Sequence, residues 1–178
     1  MHNYNCLFPQ PQPLSYKVCL TVGLDLLEGH PYTHNDYLAF LPRLQATYHQ
    51  YPRKADLRFL LGAFYIKLND IDMATHSVYQ WMSEDQNCTL YMGLLGMIEC
   101  QCHNPREALP FLCYARAKHH HPSPFFHILD QFTSMSFAQI PHDIDEKVVR
   151  TLYERVSPDL PFTPSRSDSL PLEDKHII

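Results

Sequence analysis

Apolar positions in this chain recur every three or four residues over several stretches, the spacing of one face of an α-helix. Between Ser15 and Leu27, the residues Tyr16, Cys19, Leu20, Gly23, Leu24 and Leu27 follow it. They predict an amphipathic helix stopped near Gly29 and Pro31. Asp36 to Tyr51 predicts a second helix with Leu38, Leu41, Leu44 and Tyr48 on one face. Pro42 inside it predicts a kink or a late start. Further on, Ser123 is placed to cap an apolar helix from Pro124 to Phe137. Ile144, Val148, Leu152 and Val156 recur every four residues and predict a short helix over Asp145 to Val156. Pro9, Pro11 and Pro13 make residues 1–14 an extended leader. Residues 157–178 have prolines and no apolar periodicity, and read as a flexible tail.

The middle of the chain repeats itself. Laying residues 55–88 over 89–122, an offset of 34, puts Leu60, Leu61 and Gly62 on Leu94, Leu95 and Gly96. Ala74 falls on Ala108, so the glycine-to-alanine spacing is 12 in both copies. A fixed period with small residues at two places is the signature of a helix–turn–helix repeat. The glycine is expected where a second helix crosses the first closely, and the alanine on that second helix at the same crossing. Val78 and Leu112 fill the large apolar slot four residues on, and Trp81 and Ala115 the slot three later. Asn69 and Asp70 supply the turn in the first copy; Asn104 and Pro105 supply an N-cap and a first helical residue in the second. Val22 to Lys54 reads as a degenerate earlier repeat. An ordinary helical bundle with a chance match is the alternative.

Composition narrows the picture further. The chain has 178 residues, with 5 glycines against 15 prolines. So little glycine cannot supply the turns of a β-sandwich, and no glycine-rich phosphate cradle occurs. The net charge is −5 and the basic residues are scattered, which argues against nucleic acid as a partner. The longest mostly apolar run, Val18 to Leu27, is half a membrane span and contains Asp25, so no membrane span is expected. Met1 to Pro13 carries no positive charge ahead of its apolar residues and does not read as a secretion signal. The six cysteines therefore read as reduced thiols of a cytoplasmic protein.

Candidate chemistry is sparse. Cys100, Cys102, His103 and Cys113, followed by His119, His120, His121 and His127, lack the paired spacing of a structural zinc site. Asp143, Asp145 and Glu146 cluster at a predicted helix start, where carboxylates complement the helix dipole. No nucleophile–base motif appears, so neither an enzyme nor a cofactor is expected.

The 34-residue period with Leu61, Gly62, Ala74, Leu95, Gly96 and Ala108 at its packing slots resembles the tetratricopeptide repeat. The implied fold is all-α, a short right-handed solenoid of helical hairpins with flanking helices. Arg58 and Met92 replace an expected aromatic, and Glu99 the tyrosine that Tyr65 supplies. First helices of such a stack line a concave face. Repeat geometry sends Phe59, Ala63, Ile66 and Lys67 there from one unit, and Leu90, Gly93, Met97, Cys100 and Gln101 from the next. This soft apolar lining suits a peptide, the alternative being packing against the chain's own helices.

The run Arg58 to Gln80, with Arg58-Phe59, Gly62 and His76-Ser77-Val78-Tyr79, is similar to the middle repeat of bacterial type III secretion chaperones. That resemblance implies a non-catalytic chaperone holding a segment of a translocator client in its groove, and a homodimer through the N-terminal helix. A chaperone for the needle subunit of the same apparatus is a related reading; a scaffold subunit of a larger assembly is a separate alternative, and a metal- or thiol-dependent protein the least favoured one.

Overall fold

The computed structural model describes residues 11–28, 32–85, 88–118 and 123–140. The predicted helix over residues 145–156, the tail, the His119–His121 run and the first ten leader residues lie outside these. Seven helices, and no strand, occupy the described residues: α1 (Tyr16–Glu28), α2 (His34–Gln50), α3 (Ala55–Lys67), α4 (Ile71–Glu84), α5 (Leu90–Gln101), α6 (Pro105–Lys118) and α7 (Phe126–Gln139).

Local chemistry sets the helix ends. α2 begins two residues earlier than the periodicity suggests, because Thr33 and Asp36 form a capping box. The Thr33 N–H donates to Asp36 Oδ2 at 2.6 Å and its hydroxyl donates at 2.7 Å. Those two bonds hold the Asp36 carboxyl below the usual range. The helix runs through Pro42. Pro42 and Leu38 are both exposed, so the carbonyl that loses its donor is open to water. α7 starts later than predicted, at Phe126, with Ser123 Oγ accepting from the Phe125 N–H at 3.3 Å.

The repeat is visible in the backbone itself. At the end of α3, the Asn69 N–H bonds the Ile66 carbonyl and the Asp70 N–H bonds the Tyr65 carbonyl. At the end of α5, His103 bonds Cys100 and Asn104 bonds Glu99 in the same way. These are two Schellman turns 34 residues apart, each with its central residue at positive φ, 59° at Asn69 and 61° at His103. Asp70 Oδ1 then accepts from the Met73 N–H at 3.2 Å and caps α4, while α6 begins at Pro105 as expected.

Each helix packs on its successor, and the odd-numbered helices also touch in series, α1 on α3, α3 on α5, α5 on α7. Among the described residues α2, α4 and α6 do not touch one another. This is a stack of hairpins, in which α1–α2 takes the place of the earlier repeat and α7 is the last described helix. Ala74, Ala108, Val78, Leu112, Trp81 and Ala115 are all buried, as their slots require. Leu61 is buried at an edge and Leu95 is half-buried.

The glycines play two parts. A Cβ on Gly96 would lie 3.0 Å from the Ala108 carbonyl oxygen and 2.6 Å from Leu112, so α6 crosses α5 there as predicted. Gly62 differs. Its nearest neighbour is Leu94 of α5, 2.6 Å from a Cβ, rather than anything on α4. Gly23 receives Leu60 in the same manner, so a leucine of one odd-numbered helix sits on a glycine of the one before. Leu60 and Leu94 are themselves one period apart.

Polar clamps tie the first four helices together. The Tyr16 hydroxyl donates to Asp56 Oδ2, joining α1 to the start of α3. Burial, and then this bond to a carboxylate, push the phenol up to about 12. Lys54 Nζ lies 5.2 Å from the centre of the Tyr16 ring. The buried Thr47 hydroxyl accepts from the Leu14 N–H at 2.9 Å and donates to the Arg43 carbonyl at 2.8 Å. Arg58 pairs with Glu84 and donates through Nε to the Pro52 carbonyl at 2.7 Å, tying the start of α3 to the end of α4.

Candidate functional site

The face expected to form an open peptide groove is filled. Phe59, Ala63, Ile66, Leu90, Gly93, Met97 and Cys100 are all buried, and only Lys67 and Gln101 are exposed. α7 and the residue before it do the covering. The Phe125 ring packs 4.3 Å from Phe59, centre to centre. Leu129 occupies the hollow over Gly93, where a Cβ would lie 2.7 Å from it. Cys100 Sγ lies 2.7 Å from the Ser136 hydroxyl. The physical reason is the apolar face of α7, Ile128, Leu129 and Phe132, continued by Phe125 just ahead of it, which must be buried somewhere and finds this surface next in the series. The two exposed residues have internal partners as well. Lys67 Nζ lies 5.8 Å from the Phe132 ring centre, and packing beside α7 pulls its pKa below the ordinary lysine value. Gln101 Nε2 donates to Asn69 Oδ1 at 3.2 Å, across the two turns.

α6 and α7 bring Cys113, Arg116, His127 and Asp130 onto adjoining surfaces. Burial, reinforced by Asp130, pushes the Cys113 thiol up to about 11, so it is protonated and a poor nucleophile near neutral pH. Arg116 lies 4.0 Å over the Phe126 ring and 3.4 Å from Asp130, a packing role. Among the described residues no group of three or more His, Cys, Asp or Glu is placed to hold a metal ion.

An open cleft of about 310 Å³ runs along α3, between α2 and α4, with α3 as its floor. The floor is Leu61 and Tyr65, with Arg58 at one end. Tyr48, His49 and Gln45 of α2 form one wall. Met73 and Trp81 give the α4 wall its apolar part, and His76, Ser77 and Gln80 its polar part. Gln45 Nε2 donates to the Tyr65 hydroxyl at 3.0 Å, bridging wall and floor. That leaves the Tyr65 hydroxyl proton to donate. Met73 is 41% exposed, an apolar side chain left in water at the edge of the cleft.

Sequence reasoning did not find this cleft. In the sequence His76 and Ser77 stand out only through the resemblance, Leu61 only as a packing residue and Tyr65 only as the tyrosine of the repeat pattern. Helix periodicity shows which face is apolar, not how far apart two second helices stand. No family model matches the chain, and neither a curated protein nor a solved structure is significantly similar to it.

Proposed function

We propose that this protein is a non-catalytic, polypeptide-binding module, a chaperone or adaptor built on stacked helix hairpins. The observation that carries the reading is the cleft between α2 and α4, where Leu61, Met73 and Trp81 lie beside the hydrogen-bonding Gln45, Tyr65, His76 and Gln80. The client surface is this cleft and not the face that α7 covers. The secretion-chaperone class of client, a translocator or needle component, is supported by the run Arg58 to Gln80, which also supplies most of the cleft's lining. Tagged protein purified from its source, with the co-purifying protein identified, is the direct test. His49→Glu with His76→Glu, both exposed, should release that protein, and Lys67→Glu, on the covered face, should not. Retention by the double variant, or the absence of any partner, overturns the reading.

A second reading, a self-associating scaffold subunit, is favoured by Val18 and Val22, 49% and 38% exposed and one turn apart on α1. Sedimentation should then show a dimer that Val18→Lys with Val22→Lys converts to a monomer. A wild-type chain that sediments as a monomer removes it.

A further inference from the structure

The 34-residue period carries the lining of the α2–α4 cleft onto a second set of positions, on α4, α5 and α6. α2, α4 and α6 end at Gln50, Glu84 and Lys118, 34 residues apart each time. α4 and α6 match in exposure position by position, save that Tyr79 is exposed and Cys113 buried. The side chains at the equivalent places differ in kind. Gln45 and Gln80 of the cleft become Tyr79 and Tyr114, 61% and 45% exposed. His76 and Ser77 become Pro110, exposed, and Phe111, half-buried. Tyr48 and Arg58 become Met82 and Met92, both half-buried. The floor is more open too, with Leu95 and Glu99 half-buried where Leu61 and Tyr65 are buried. The polar members are Ser83, exposed, Glu99, which accepts from Asn104 Nδ2 at 3.0 Å, and Glu107, exposed in the first turn of α6. Two exposed tyrosines and a proline, with a carboxylate at one end, make the kind of surface on which a polyproline II segment packs.

The chain itself carries such a segment. Pro158, Pro161 and Pro164, beyond the described residues, recur at every third position of Ser-Pro-Asp-Leu-Pro-Phe-Thr-Pro, and Arg166 follows. Polyproline II has three residues per turn, so prolines at this spacing share one ridge, about 19 Å from first to last. α6, with 14 residues, is about 21 Å long. The leader's Pro9, Pro11 and Pro13 recur every second residue instead, a spacing that spreads them round such a helix. Pro158 follows Ile140, the last described residue, by 18 positions, and a chain of that length reaches up to about 60 Å.

We propose that residues 158–166 lie as a polyproline II segment on α4 and α6, an intrachain ligand of the Tyr79–Tyr114 strip. The three prolines pack on the two tyrosine rings and on Pro110. Arg166 pairs with Glu107 at the start of α6, which sets the segment antiparallel to the helix and brings Asp159 toward Lys118 at its end. Tethering gives the segment an effective concentration on the order of millimolar, so a weak contact suffices to fill the strip. None of these positions lines the α2–α4 cleft, and the strip keeps its occupant whether or not that cleft holds a client.

A fluorescein-labelled peptide of residues 156–168 tests it against two full-length proteins, the wild type and a variant with Pro158→Ala, Pro161→Ala and Pro164→Ala. The variant's strip lacks its own ligand, so anisotropy titration should show it binding the peptide at least about tenfold more tightly than the wild type, whose tail competes. Adding Tyr79→Ala and Tyr114→Ala, both exposed positions, to the variant should abolish binding with the thermal melt unchanged. A peptide with its three prolines changed to alanine should bind neither protein, a comparison that does not depend on how the tyrosine variant folds. Equal, tyrosine-dependent binding to wild type and variant would overturn the tail as occupant and leave the strip to proline-rich segments of other proteins. No binding to either protein, or equal binding of the alanine peptide, would overturn the strip as well. A wild type that sediments as a dimer, and a proline variant that sediments as a monomer, would assign the strip to the tail of a second copy and overturn the intrachain placement.

Discussion

Asn69 and His103 stand one 34-residue period apart and hold the same left-handed backbone, φ 59° and 61°, in matching Schellman turns. Their tolerance of it differs. Asparagine enters this region more readily than most residues, and Asn69 also accepts from Gln101. His103→Gly should therefore raise stability by about 0.5–1 kcal/mol. Asn69→Gly should give nothing or a small loss. Urea unfolding of both variants decides it, and a destabilised His103→Gly would refute the account.

Gly62 and Gly96 occupy equivalent positions in sequence but not in surroundings. An alanine at 62 meets only the flexible end of Leu94, and the helix gains from losing a glycine. At 96 the new methyl meets the Ala108 carbonyl, which is backbone and cannot swing away. Gly96→Ala should cost about 1–3 kcal/mol, and Gly62→Ala markedly less. Equal losses in chemical denaturation would mean that the two crossings are alike.

The Tyr16 phenol gives the fold an alkaline limit. Its folded pKa of about 12 lies above the ordinary value near 10, so the folded state holds the proton more tightly. Its contribution is complete below about pH 10 and is lost as the pH rises through about 12. Tyr16→Phe should cost about 1 kcal/mol at neutral pH and flatten that alkaline decline. Unfolding midpoints at neutral and alkaline pH would show it; an unchanged slope would count against the clamp.

Thiol reactivity should follow burial. Cys102 is exposed, whereas Cys19, Cys100 and Cys113 are buried. Burial raises the pKa of all three buried thiols. Of the described thiols, brief alkylation at pH 8 followed by peptide mass spectrometry should label Cys102 first and Cys113 among the last. Early labelling of Cys113 would mean that α7 opens readily.

A charge in the covered face should break the protein, not merely block a ligand. Ala63 and Met97 have no exposed surface, and a glutamate at either leaves an unpaired carboxylate in the core. Ala63→Glu or Met97→Glu should cost about 3 kcal/mol or more, read as loss of the cooperative melt. Phe125→Ala should cost a comparable amount by vacating the place beside Phe59. Folded, soluble Ala63→Glu protein would show that the face is open in solution.

The repeat was legible because its period is written in small residues and caps. Gly96 with Ala108, the turns at Asn69 and His103, and the buried slots of Val78 and Leu112 all follow from the 34-residue offset. The covered face was not legible. Phe59, Met97 and Cys100 look the same in sequence whether a client or α7 lies over them, since apolar pattern records burial and not by whom. The partner of Gly62 was missed for a related reason. A glycine signals close approach, but the period does not say whether the same hairpin or the next one approaches.

Because α1 also reaches α7, the first and last described helices of the stack meet. An open array of repeats unravels from its ends, each unit answering mainly to its neighbours. Here the first and last described helices hold each other. Loss of α1 strips contacts from α7 as well as from α2 and α3, so damage at one terminus is felt at the other. The array should melt as one all-or-none unit instead of fraying repeat by repeat, and a shortened chain should forfeit the whole fold.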